Sequence, residues 1–301
     1  MMDANKVYEK VSAATVRISN GEGTVGSGFL FDTGAHVATA YHVIENLDKI
    51  YVVFPDGRVS IVTNRARSPD SDVAILTITD KPDIIPPPLA DSSKVRIGEP
   101  VVAIGNPLGT TETLTAGVVS QTDRFAEISS DSRTRWIPNL IQFDAPANFG
   151  NSGCALFNSA GEVIGMVIAR VNPGEGDGIY YAVSANKLKR VAASLIAQGS
   201  FNYPWLGVNV TDLTPKIVQN RGLETANGAL VGGVTAGSPA QAAGIKADDI
   251  ITDIDDFSIR NTSDLTSYLG EYKSADEEAT LKIIRGTNSL EISLKIGKKP
   301  S

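Results

Sequence analysis

The stretch 149–154 reads FGNSGC and lies between LIQFDAPAN (140–148) and ALFNSAGEVIGMVIAR (155–170). A serine sits between an asparagine and a glycine, with a second glycine two residues before it. Gly150 and Gly153 supply φ freedom and close backbone approach that a residue with a Cβ lacks. A loop built this way can turn backbone N–H groups inward beside a hydroxyl. Ser152 therefore has two readings, a turn residue or a nucleophile.

A nucleophilic serine needs a base for its proton, a third group to hold the base's tautomer, and N–H donors for the developing oxyanion. The chain has two histidines, so the search for a base is short. His36 sits in TGAHVATA (33–40), beside a turn. His42 sits in ATAYHVI (38–44), read as the end of a strand. For the carboxylate, SPDSDVAILTI (68–78) offers Asp70 and Asp72. Asp72 enters the apolar strand, whereas Asp70 belongs to the turn after Pro69. The chain order is then His42, Asp72, Ser152, which is the chymotrypsin order and not that of subtilisin or the α/β-hydrolases. The expected oxyanion donors are the N–H groups of Gly150 and Ser152.

Outward from this loop, residues 4–18 read as a short helix through Val7, Tyr8 and Val11 followed by the strand TVRIS. GSGFLFD, HVATAYHV, KIYVVF, VSIVT and DVAILTI are further strands separated by turns. The proline-rich 81–94 is a surface crossing. PVVAIGNPLG and LTAGVVSQTD are two more strands, 122–136 a polar loop, and 172–178 another loop. Strands at this spacing indicate an all-β barrel or sandwich. A helix follows, capped by Ser184, with Leu188, Val191, Leu195 and Ile196 on one face and Gly199 as its stop. The expected organisation is a domain over 1–198 with an N-terminal segment 1–14, a linker over 199–204, and a small α/β domain over 205–301. In the last, Ser238, Pro239 and Gly244 bound a short helix, Asn261 caps another, and Gly286 turns a terminal hairpin.

Composition narrows the class. The length of 301 residues matches two domains. A net charge of −7 argues against a nucleic-acid partner. One cysteine excludes an internal disulfide, and with two histidines it excludes a Cys/His zinc site. GEGTVG (21–26) fits a dinucleotide fingerprint in letters only, since a strand and not a helix follows it, so no cofactor is expected. The polar start shows no apolar leader and no run approaches membrane-spanning length, so the expected location is cytoplasmic as written.

The joint pattern GSGFLF (26–31), TAYHV (39–43), DVAILTI (72–78), GNPLG (105–109), TAGVVS (115–120), IQFDAPANFGNSGCALFN (141–158) and GEVIGMVI (161–168) resembles the HtrA/Deg-type serine proteases. WLGV (205–208) and SPAQAAGIKADDIITDID (238–255) extend the resemblance over nearly the whole chain. It implies a mainly β fold: a chymotrypsin-like double β-barrel protease domain followed by a small α/β PDZ domain. It also implies that His42 is the general base, Asp72 its orienter and Ser152 the nucleophile of an ATP-independent endopeptidase acting on unfolded or misfolded proteins. Trp205, Leu206, Gly207 and Val208 would form the PDZ loop that takes a peptide C-terminus, with Leu265 and Leu269 on the facing helix. A homotrimer is implied as well, for which Val7, Tyr8 and Val11 are apolar candidates. Two alternatives stay open, a catalytically silent chaperone or binding module and a regulatory protease with one client. The chain departs from the family pattern at Phe149, Cys154 and Asp248. No acid in APANF selects a basic P1 residue, and Val167 and Ile168 on the facing strand suggest a small or medium aliphatic one.

Overall fold

Short apolar runs over the first 80 residues close on themselves. A computed structural model of the chain describes residues 2–33, 35–80, 82–109, 112–129, 134–170 and 178–300. It divides into two units, Met1–Phe201 and Asn202–Ser301. The first unit opens with helix α1 (Ala4–Val11), capped by Asp3. Strands β1 (Thr15–Ser19), β2 (Thr24–Leu30), β3 (His36–Ala40), β4 (Tyr51–Val53), β5 (Val59–Ser68) and β6 (Val73–Ile78) then form a closed barrel in the order β1-β2-β3-β6-β5-β4. A second closed barrel is built from β7 (Pro100–Gly105), β8 (Thr113–Ser129), β9 (Thr134–Phe143), β10 (Ala155–Phe157), β11 (Val163–Arg170) and β12 (Tyr180–Ser184). Closure removes the unpaired edges that an open sheet would expose. The continuous apolar run of β6 follows from its position. One face lines the barrel, and helix α3 (Ala185–Gln198) packs against the strand.

Several expectations need correction. The polar loop expected over 122–136 is largely strand: β8 and β9 pair from Val119↔Phe143 out to Ser129↔Thr134, with register shifts on the way. A ribbon that runs on past the barrel core is held by its backbone ladder, so its sequence need not alternate. His42 is not at a strand end. β3 stops at Ala40 and the chain turns into the one-turn helix α2 (Tyr41–Ile44). His36 opens β3 and pairs with Asp32, its Nδ1 2.8 Å from Oδ2. Ser184 occupies the N-cap position of α3, but its hydroxyl makes no capping bond and is buried without a hydrogen-bond partner among the described residues. On the helix face itself Leu188, Val191 and Leu195 are buried while Ile196 is exposed. Val7 and Val11 are buried in the chain's own core, and the Tyr8 hydroxyl donates to Glu112 Oε2 at 2.9 Å. Val7 and Val11 thus pack within one chain, while Tyr8 stays partly exposed. The loop expected at 172–178 lies, Gly178 apart, outside the described residues.

The second unit is a small α/β module. Strands β13 (Pro204–Trp205), β14 (Val208–Asp212), β15 (Ala229–Val234), β16 (Ile250–Ile254), β17 (Phe257–Ser258), β18 (Glu278–Arg285), β19 (Asn288–Lys295) and β20 (Gly297–Lys298) are joined by α4 (Pro215–Arg221), α5 (Pro239–Ala242) and α6 (Thr262–Tyr272). The main sheet runs β14-β15-β16-β18-β19, with β17 on β16 and β13 paired to β20. Ser238 and Asn261 cap α5 and α6 through their side chains. Helix α4 was legible and not anticipated: Thr214 caps it, Pro215 starts it and Gly222 ends it at φ 63°. Asp248 adopts φ 73°, a conformation aspartate tolerates, and the turn holds.

Asp249, next in that turn, is buried and takes two guanidinium bonds from Arg285, at 2.7 Å each, and one from the Lys246 N–H. Burial pushes its carboxyl up, but Arg285 and the Lys246 amide outweigh this and hold it below the usual carboxylate range. A group depressed in the folded state stabilises above its unfolded pKa and loses that contribution as pH falls through the folded value. Arg285→Ala is expected to cost the second unit up to about 3–5 kcal/mol at neutral pH, since it leaves a buried carboxylate without its guanidinium partner and with only the Lys246 N–H. Urea melts of both chains should converge as pH is lowered through the folded carboxyl's titration.

Candidate active site

Asp72 ends the tight turn Pro69–Ser71 at φ 51° and is fully buried. Its N–H donates to Pro69 O, and its own carbonyl accepts from the Tyr41 N–H at 3.1 Å. This places both carboxylate oxygens on the next residue of α2. The His42 N–H donates to Oδ1 at 2.9 Å, and His42 Nδ1 lies 2.7 Å from Oδ2. An ionised carboxylate only accepts, so Nδ1 carries the proton and Nε2 keeps its lone pair. The imidazole is 23% exposed, which leaves it open to a reactant. Asp70 stays in the turn and His36 is engaged with Asp32, so the structure brings together His42 and Asp72 from the candidate set.

Ser152 arrives from the second barrel, in the loop before β10. Gly153 is at φ 89°, and a Cβ there would lie 2.1 Å from Ser27 O and 3.0 Å from Ala40 N. A Cβ on Gly26 would meet Val43 Cγ1 at 2.5 Å and Ser152 O at 3.2 Å. These two glycines let the loop press onto the middle of β2 and the end of β3, next to Val43 of α2, the helix that carries His42. Within the loop the N–H groups of Asn151, Gly153 and Cys154 donate to Asn148 O, Val167 O and Asn151 O. Gly150, at φ 100°, and Ser152 are the expected oxyanion donors, and among the described residues no acceptor takes either N–H.

The neighbouring candidates sort as follows. Phe149 is 68% exposed at the mouth of the loop. Asp144 Oδ1 accepts from the Val118 N–H at 2.7 Å, which ties this carboxylate to the β8 backbone. Val167 and Ile168 are closed into the cores, at 2% and 1% exposure, and the P1 argument built on them loses its basis. β11 is buried on both faces from Val163 to Ile168, so its continuous apolar run does not tell which side chains would reach a pocket. Cys154 is fully buried, and burial pushes its thiol up to about 12. It is expected to stay unreactive toward a thiol reagent at neutral pH until the chain is unfolded, and rapid labelling of the native protein would contradict this.

In the second unit, Trp205 ends β13, and Leu206 is buried with its carbonyl accepting from Ala240 N–H at 2.9 Å. Gly207 is at φ 84°, where a Cβ would lie 2.1 Å from Ser238 Cβ, and its carbonyl accepts from Thr235 N–H at 2.8 Å. Val208 then begins β14, the outer strand of the main sheet. Leu265 and Leu269 of α6 are buried in the same core as Leu206, and Val208 packs against that core. Among the described residues no group of three His, Cys, Asp or Glu side chains is placed to hold a metal, and no helix is long and apolar enough to cross a membrane.

Comparison with known proteins places these features. A trypsin-like peptidase domain matches residues 26–166 and a PDZ domain matches 204–296. A probable periplasmic serine endoprotease, DegP-like, of Rhizobium meliloti is 35% identical over 92% of this chain and 54% of its own length. That of Rickettsia conorii is 35% identical over 90% and 53%. The chain thus spans about half the length of the curated relatives it matches. The HtrA-type protease AlgW, solved with a tripeptide, superposes with a TM-score of 0.81 at 28% identity over 99% of this chain and 98% of that one. The same protein with a decapeptide gives 0.79 at 26% identity over 99% of each chain. The periplasmic relatives overturn the cytoplasmic expectation. That expectation rested on a polar first stretch which is helix α1 of the folded domain, a feature that reports on packing and not on compartment.

Proposed function

The chain belongs to the HtrA/Deg-type serine protease family, a trypsin-like peptidase domain followed by one PDZ domain, and from that premise we propose that it is a periplasmic serine endopeptidase of protein quality control. Ser152 Oγ attacks the scissile carbonyl while His42 Nε2 takes its proton. Asp72 holds the imidazole and stabilises it once charged. The N–H groups of Gly150 and Ser152 receive the oxyanion. His42 then returns the proton to the leaving amine, and water hydrolyses the Ser152 ester by the same route in reverse. The observation that carries this reading is the fully buried Asp72 holding both the backbone and the ring of His42.

Substrates are unfolded or misfolded chains, the class that the resemblance to the HtrA/Deg-type proteases implies, and the matched relatives are named as endoproteases. Trp205, Leu206, Gly207 and Val208 take the C-terminus of a peptide, which adds as a strand along the outer strand β14. The AlgW structures with bound peptides support peptide ligands. The homotrimer of the family is part of this reading, and sedimentation measures it. The test is digestion of unfolded casein with a fluorophosphonate label run alongside, with and without a C-terminal peptide. Cutting together with labelling at Ser152 is expected. A chain that neither cuts nor labels under either condition would sink the reading.

A further inference from the structure

Ser27 on β2 is fully buried and joins the two barrels at the Ser152 loop. Its N–H donates to Ser152 O at 2.9 Å. Its hydroxyl lies 2.6 Å from Gly150 O and accepts from the Asn106 N–H at 2.9 Å. A hydroxyl has one proton and two lone pairs. The Asn106 N–H takes a lone pair, so the proton points to Gly150 O and the polarity of the pair is set. The Ser27 carbonyl is itself held by Thr39 Oγ1 at 2.7 Å, two positions before Tyr41 and α2. One residue thus grips the carbonyls of 150 and 152, the two residues whose N–H groups have no acceptor among the described residues.

Gly150 has no Cβ to restrict it and sits at φ 100°. Something outside the glycine must hold its peptide planes for the amides to be preorganised. We propose that Ser27 is a positioning residue for the oxyanion-binding amides: by holding the Gly150 and Ser152 carbonyls it fixes the two peptide planes that flank the one carrying the Ser152 N–H, and with them the turn at Gly150 that aims its own N–H. This rests on Ser152 being the nucleophile. Ser27 never touches substrate, so its effect falls on the transition state, where the oxyanion exists, and not on ground-state binding.

The experiment compares the wild-type chain with Ser27→Ala and Ser27→Cys. Read-outs are kcat and KM on a short peptide, affinity for a peptide boronate, affinity for the cleaved product, and melting temperature. A boronate becomes tetrahedral on Ser152 Oγ and places an oxygen among the oxyanion donors, whereas the product does not need them. Ser27→Ala is expected to lower kcat roughly 10–100-fold, less than the loss of a donor outright. KM and product affinity should stay within about two-fold, and boronate affinity should fall in step with kcat. Ser27→Cys, a weak donor, should lie between the two, and it decides the matter if the alanine variant does not fold. Wild-type kcat and boronate affinity in a folded variant would overturn the assignment. So would a parallel loss of kcat, KM and product affinity, which marks a merely structural role. Fluorophosphonate labelling of the wild-type chain is measured first. Its failure would defeat the proposed function and this inference with it, while a labelled wild type beside a fully active Ser27→Ala defeats this inference alone.

Discussion

Ser152→Ala is expected to lower turnover by roughly 10³–10⁶-fold. Removing Oγ removes the atom that forms the acyl bond, and no neighbouring group replaces it. Cys154 is buried with its thiol pushed up to about 12, so it offers no substitute nucleophile. Residual rate would come from the Gly150 and Ser152 amides and from binding, which the substitution leaves in place. The folded loop should survive, because its bonds to Ser27, Asn148 and Val167 use the loop's own backbone atoms and not the Ser152 side chain. Peptide cleavage, fluorophosphonate labelling and client binding are measured on the same preparation. Lost cleavage and labelling with retained binding is the expected pattern. Cleavage within ten-fold of wild type would remove Ser152 from the mechanism.

Asp72→Asn is expected to be the second largest effect, lowering kcat by about 10⁴-fold with little change in KM. Both oxygens of Asp72 accept from His42, one from its backbone N–H and one from Nδ1. An asparagine has a single oxygen and an NH₂ group. If the NH₂ faces the ring, Nδ1 must accept, the proton moves to Nε2, and the base can no longer take the Ser152 proton. If the NH₂ faces the His42 N–H, two donors meet in a fully buried place, which costs stability instead. Kinetics and a melt on one sample separate these two outcomes. A variant that keeps both rate and stability would show that Asp72 does not orient His42.

The elements that could be read early were those whose signals are local. The α5 and α6 caps at Ser238 and Asn261, the Gly199 stop and the Gly286 turn each depend on a few adjacent residues. The short apolar strands could be read because alternation reports a half-buried ladder. The β8–β9 ribbon could not, since a strand beyond the core keeps its backbone bonds without an apolar face. Ser184 failed as a cap for a related reason: its position was right, but only packing decides where a hydroxyl points.

The sequence by itself determined the ingredients of the site and their order along the chain: a histidine, an aspartate and a glycine-flanked serine, in that succession, on a β-rich chain. Their types follow from chemistry that few side chains can do. Tertiary structure alone decided how they meet. Asp72 acquires its grip on His42 from a left-handed turn buried under α2. The Ser152 loop is seated by Gly26 and Gly153, whose contacts lie over a hundred residues apart in the chain. Ser27 reads as one more strand residue until the second barrel brings Gly150 O to its hydroxyl. Lys187 likewise sits in a helix start where a lysine should be solvated, yet it is fully buried with Nζ 2.7 Å from Pro138 O. In each case the deciding partner is distant in sequence: the Asp72–His42 bonds form within the first barrel, whereas the contacts of Ser27, Gly26 and Gly153 with the Ser152 loop exist only once the two barrels have met.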